Sequence, residues 1–166
     1  VSAAPTSPAP TPGPTGTNEL VNISTRANVG TGANIPIAGF VIGGNTPKTI
    51  LIRGLGPDLA NYGVPGVLAA PALNLYSGGT VIASNTGWST AANAAQIAAA
   101  AQQVGAGVLP AGSADSALLM TLQPGPYTVQ VSGADGGSGI ALAEVYDTTG
   151  SFTTSTPRLI NISARA

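Results

Sequence analysis

Leu20-Val21-Asn22-Ile23-Ser24-Thr25-Arg26-Ala27 and Leu159-Ile160-Asn161-Ile162-Ser163-Ala164-Arg165-Ala166 are two copies of one octapeptide, identical at six of eight positions. In the first copy Val21, Ile23 and Thr25 alternate with Asn22, Ser24 and Arg26. A period of two is the mark of a β-strand with one apolar face. The chain therefore reads as one complete β unit followed by the opening strand of a second.

Working outward from the first copy, the same signal recurs between turn residues. Ile35 to Ile42 is a nearly continuous apolar strand closed by Gly43-Gly44-Asn45. Thr49 to Leu55 follows, with Ile50 and Ile52 on one face and Leu51 and Arg53 on the other. Gly56-Pro57-Asp58 opens a short helical turn. Ala72–Tyr76 and Thr80–Ser84 flank Ser77-Gly78-Gly79, a hairpin signal. Residues 90–103 are Ala-rich, with Ser89 or Thr90 to cap a helix and Gly105 and Gly107 to end it. This helix is expected to sit as a lid over one end of a sandwich. Ser116–Leu122, the alternating Tyr127, Val129 and Val131, and a strand carrying Ile140, Leu142 and Tyr146 on one face complete the unit. About nine short strands at regular spacing, with one inserted Ala-rich helix, predict an all-β sandwich of jelly-roll or Greek-key type.

The parts divide as follows. Residues 1–18 form a Pro/Thr-rich extended arm with Pro5, Pro8, Pro10, Pro12 and Pro14. Residues 19–149 are the sandwich, 150–157 a Thr/Ser linker, and 158–166 the C-terminal strand. The start, Val1-Ser2-Ala3-Ala4-Pro5, is read as the end left after removal of a signal peptide.

Charged residues make up 7% of the 166-residue chain and the formal net charge is −1, against roughly 25% charged residues in an average domain. Copies of so neutral a chain repel one another weakly. It has no basic stripe for nucleic acid, and no apolar run of the roughly 20 residues that a membrane-spanning helix needs. With no Cys and no His, thiolate and imidazole chemistry are excluded, and zinc and copper lose their usual ligands. Neither Gly30-Thr31-Gly32 nor Gly54-Leu55-Gly56 matches a phosphate loop, and both read as turns. Asp115, Asp135, Glu144 and Asp147 are the acids to weigh for paired-carboxylate chemistry. Glu144, mid-strand, reads instead as a partner for Arg53 or Arg26. No catalytic residue, cofactor or metal site is assigned. Trp88 and Tyr76 are the aromatic candidates for stacking on glycan, although a lone Trp beside Gly87 reads more readily as a cap on the core edge. The triplets Asn22-Ile23-Ser24 and Asn161-Ile162-Ser163 match the N-glycosylation pattern but lie inside expected strands.

One resemblance can be named on these residues. The opening octapeptide, Val29-Gly30-Thr31-Gly32, Gly39-Phe40-Val41-Ile42, Pro47 to Arg53 (PKTILIR), Gly56-Pro57, Leu75-Tyr76, Thr80 to Asn85 (TVIASN), Leu122 to Gly133 (LQPGPYTVQVSG) and Ala143 to Asp147 (AEVYD) carry it. Over residues 19–166 the chain resembles a tandem β-sandwich repeat module of large secreted bacterial proteins. The resemblance implies a secreted location and carries over no catalytic residue.

The extra strand has two readings. It folds back onto its own domain and covers a sheet edge, or it docks into a neighbour's sheet as a donated strand. In the donated reading, Ile160, Ile162 and Ala164 are expected to face the core of the neighbour. Donation is the reading carried forward: a pilus-like extracellular filament whose subunits meet through Leu159, Ile160, Asn161, Ile162, Ser163 and Ala164. Leu20, Val21, Asn22, Ile23 and Ser24 are their counterparts in the opening strand. The partner is then the chain itself, with glycans as a further partner. The alternative is a carbohydrate- or surface-binding accessory module of a secreted protein.

Overall fold

The computed structural model describes residues 19–32 and 34–165, with Asn161 and Ile162 described by their backbone. The N-terminal arm expected over 1–18 lies outside the described residues. Nine strands run in chain order: β1 (Asn22–Val29), β2 (Ile37–Gly43), β3 (Lys48–Leu55), β4 (Pro71–Ser77), β5 (Thr80–Asn85), β6 (Ser116–Leu122), β7 (Gly125–Gly133), β8 (Gly139–Asp147) and β9 (Arg158–Arg165). Helix α1 (Pro57–Ala60) follows β3, and α2 (Ala94–Gln103) lies between β5 and β6.

The strands form two sheets, ordered β1-β8-β3-β6 and β5-β4-β7-β2-β9. All pairs between the strands are antiparallel. Strands β1 to β8 fall into two four-stranded sheets with the interleaved order of a jelly roll. The expected β-sandwich is thus the observed fold, and its eight-stranded roll is complete before β9 begins. β9 is an addition to the free edge of β2.

Alternation decides what faces the interior. Ala38, Phe40 and Ile42 of β2, Ile50 and Ile52 of β3, Leu73 and Leu75 of β4, and Tyr127, Val129 and Val131 of β7 meet between the sheets. Ala141, Ala143 and Val145 of β8 close that core from the first sheet. Phe40 and Tyr127 stack at 5.6 Å between ring centroids. The type of turn follows from residues that tolerate positive φ: Gly78, at φ 59°, lets β4 return as β5.

The first sheet is apolar on its outer face as well. Leu51 and Leu55 of β3, Ala117 of β6, and partly buried Ile140, Leu142 and Tyr146 of β8 form a second core with Ile97, Ala100 and Ala101 of α2. The helix therefore covers the outer face of the four-stranded sheet and not an end of the sandwich. The reason is that β3 and β8 present apolar side chains on both faces, and the outer set needs a third layer. Small Ala side chains let the helix approach closely.

Two local expectations change and one gains a location. The helix begins at Ala94, and Ser89 and Thr90 belong to a short 3₁₀ turn, Trp88–Thr90, before it. Thr90 Oγ1 donates to Gly87 O at 2.9 Å instead of capping. Gly54 is the penultimate residue of β3 and Gly56 precedes α1, so that segment is no β-turn. A Cβ at Gly56 would lie 2.1 Å from the Leu68 carbonyl oxygen, which explains the glycine by close backbone approach. Finally, the core-facing residues of β8 are Ala141, Ala143 and Val145, and the expected face of Ile140, Leu142 and Tyr146 packs under the helix side.

Ile52 is fully buried where the two sheets meet. Ile52→Ala is expected to cost about 2–5 kcal/mol, from lost transfer energy plus an unfilled cavity. A urea titration in which the unfolding free energy falls by less than a quarter of that would show that the sandwich collapses to fill the gap.

Candidate functional site

The duplicated octapeptide sits at two different sheet edges. The first copy forms most of β1 and pairs with β8 in unbroken register, from Asn22 opposite Tyr146 to Val29 opposite Gly139. The second forms β9 and pairs with β2, from Arg158 opposite Gly43 to Arg165 opposite Ile37. The second ladder is interrupted: Val41 lies opposite Ile160, Phe40 opposite Ile162, and Asn161 is the extra residue of a bulge. Of the two readings of the extra strand, a single chain adopts the one in which it folds back on its own domain.

Within its own domain, β9 buries its first apolar residue and exposes the second. Leu159 is buried at 3% exposure against the main core, whereas Ile160 is 48% exposed. Ser163 and Ala164 are exposed too. In the first copy Leu20 and Val21 are exposed at 37% and 51%, Ile23 is partly buried and Ala27 is buried, while Val29, just beyond the copy, enters the main core. Strict alternation does not run across an inserted residue, so in its own domain β9 does not keep Ile160 in phase with the residues beyond Asn161. One contact ties the two copies together. Glu19, just before the first, meets Arg158, just before Leu159, with Arg158 Nη2 3.0 Å from Glu19 Oε1.

Edges elsewhere are treated differently. The open edge of β6 is met by side chains: Ala117 N donates to Asn85 Oδ1 at 3.0 Å, and Asn93 Nδ2 donates to Leu119 O at 3.4 Å. Polar side chains there take up backbone groups that another strand would otherwise use.

The linker has a fixed root and a short free part. Lys48 Nζ lies 2.6 Å from Asp147 Oδ2, with both side chains fully buried, and donates to Thr149 Oγ1 at 2.7 Å. The same ammonium sits 5.3 Å from the centroid of Phe152. These contacts anchor the chain through Phe152. Beyond it, Thr153 and Thr156 close a local turn by Thr153 N to Thr156 Oγ1 at 2.8 Å. Residues 153–157 can span at most about 17 Å when extended.

The buried polar residues are engaged structurally. Arg53 and Glu144 stand opposite each other in the β3–β8 ladder. Arg53 Nε and Nη2 both donate to Glu144 Oε2, at 2.8 and 2.5 Å, and Nη1 donates to Gly107 O at 2.9 Å. Tyr146 Oη donates to Glu144 Oε1 at 2.9 Å. The network pins the loop after α2 to the sheet and matches the pairing expected for Glu144. Burial, and then the neighbouring Glu144 carboxylate, push the Tyr146 phenol up to about 12. Asp115, also buried, accepts from Gly56 N at 2.7 Å and from Asp58 N, so it holds the start of α1. Asp135 accepts from Gly137 N in its own turn.

Trp88 is not placed to stack on a sugar. Its ring is 6% exposed in the second core, and Nε1 donates to Pro110 O at 3.1 Å. The segment linking β5 to α2 turns inward there, so the aromatic face meets the helix and not solvent. Sequence reasoning missed the Lys48–Asp147 anchor. Its one signal was that Lys48 is the single lysine and precedes a strand otherwise buried on both faces.

Together these features define a jelly-roll sandwich carrying a ninth strand that repeats its first. No family model matches the chain, and no curated protein matches it. Among solved structures it is similar to the pre-peptidase C-terminal domain of a collagenase from Bacillus anthracis. That likeness has 16% identity, covers 75% of this chain and 89% of that one, and has a TM-score of 0.43. At that score the likeness bears on neither function nor location.

Two predictions follow from the buried network. Glu144→Ala strands the Arg53 charge and is expected to destabilise by about 3–5 kcal/mol in urea, while Arg53→Met with Glu144→Leu recovers most of that loss. Tyr146 has its folded value raised above the ordinary 10.0. Its contribution to stability is therefore complete below pH 10 and is lost as pH rises from 10 towards 12. Tyr146→Phe should remove that part of the alkaline decline, read by circular dichroism across the same range. An unchanged profile would mean that the phenol does not gain from burial.

Proposed function

We propose that this chain is a non-catalytic structural subunit of an extracellular, pilus-like filament, assembled head-to-tail by donation of β9. The observation that carries the reading is that the eight-stranded roll is complete without β9. The ninth strand is ladder-paired with β2 alone and, among its described side chains, buries Leu159. A strand that contributes little to its own core loses little by leaving it. Burial of one Leu is worth roughly 1.5–3 kcal/mol, and a neighbour's sheet edge returns both that and the backbone ladder. The short free linker keeps the donated strand within about 17 Å of its root, which suits a subunit in direct contact. A heterologous contact of this kind propagates as a fibre unless its rotation closes a ring. Low charge favours close association. The kinship with tandem modules of secreted bacterial proteins belongs to the same proposal, as does a location outside the cell.

A second reading is a carbohydrate- or surface-binding accessory module of a secreted protein. It is favoured by the pairing of β9 within its own chain, which satisfies that strand without a neighbour. Burial of Trp88 removes the aromatic platform first considered for it.

Deletion of 158–166 separates the two. The filament reading expects a folded, soluble monomer, destabilised by about 1.5–3 kcal/mol, and no fibres in electron micrographs, where the full chain gives fibres. Dispersed full-length particles at all concentrations would overturn it, as would unfolding of the truncated chain.

A further inference from the structure

Resting on the filament reading, we infer that the acceptor for β9 in a neighbouring copy is the β8 edge now held by β1. The β2 edge that β9 occupies in its own chain is not the acceptor. The β8 edge already accepts this octapeptide. Asn22, Ser24 and Arg26 have identical counterparts in Asn161, Ser163 and Arg165, and Ile23 has Ile162. Within the matched stretch 22–26 the one difference is Thr25 against Ala164, a smaller residue that brings no clash.

The two ladders also differ in quality. On β8 the octapeptide lies in unbroken register, while on β2 the same pattern needs a bulge at Asn161. A bulge leaves one residue unpaired and disrupts the ladder locally. Transfer of β9 to a neighbour's β8 therefore exchanges an interrupted ladder for a regular one. Just before the incumbent strand, the side chains of Leu20 and Val21 are exposed. The displaced strand is itself the sequence that β2 accepts, so it can fill the edge that β9 vacates. Two neighbouring copies then trade strands that correspond over 22–26 and 161–165, and the core contact of Val29, which has no counterpart in β9, is the cost of the transfer.

The chain has no cysteine, so introduced thiols report without background. In the β1–β8 register Arg26 is opposite Leu142, and Arg165 is its counterpart. In the β2–β9 register Ser163 is opposite Gly39. Directly opposed residues are close enough for a disulfide. Full-length Arg165→Cys chains are mixed with Leu142→Cys chains, assembled and oxidised; Ser163→Cys with Gly39→Cys is run alongside. The inference expects a covalent dimer from the first mixture and its absence from the second. A dimer from the second alone, with fibres present, overturns the β8 slot and leaves strand donation standing. No dimer from either and no fibres overturns both. Asn161→Cys with Tyr146→Cys reads the same β8 register and decides the matter should Leu142→Cys fail to fold.

Discussion

Strand β3 has no face left for water, and most of the architecture follows from that. Ile50 and Ile52 enter the core between the sheets, while Leu51 and Leu55 enter the one under α2. A strand buried on both sides must be central, must be flanked by partners on both edges, and must be covered twice. β6 and β8 provide the edges, the β4-β7-β2 sheet one cover and the Ala-rich helix the other. The same constraint governs its charged residues. Arg53 and Lys48 are buried at 4% and 2% exposure, and burial of an unpaired cation would be costly. Each therefore meets a carboxylate of β8, Glu144 and Asp147.

Those two ion pairs do different work. Arg53–Glu144, with Tyr146 and the Gly107 carbonyl, fixes the loop after α2 to the sheet. Lys48–Asp147 fixes the point at which the chain leaves the sandwich for its ninth strand. A rigid root and a short free segment make β9 an appendage of defined reach, attached to a body that is already closed. That separation is what makes a structural role for the strand physically economical.

Much of this was legible in the residues. Alternation at Tyr127, Val129 and Val131, the Ser77-Gly78-Gly79 turn and the Ala-rich stretch located strands, hairpin and helix, because side-chain periodicity and turn sterics are local. The pairing of Glu144 with Arg53 was legible too, since a charge in mid-strand needs a partner. The position of α2 was misread, although Leu51 beside Ile50 and Ile52 already marked β3 as apolar on both faces. The start of α2 was misplaced because Ser89 and Thr90 suit a cap, yet the chain makes a 3₁₀ turn that buries Trp88. The outward facing of Ile160 in its own domain was not legible, because one bulged residue reverses the phase of alternation and leaves no mark in the sequence.

By itself the sequence determined the strand pattern, the Ala-rich helix and the repetition of one octapeptide, and it ruled out thiolate and imidazole chemistry, because these depend on local periodicity and residue inventory. Only the tertiary structure decided where each copy of the octapeptide goes. The same pattern pairs with β8 at one end of the chain and with β2 at the other. Backbone N–H and C=O groups at a sheet edge accept any suitable strand, so the choice between edges is set by the anchored linker and by contacts distant in sequence, and not by the eight residues themselves.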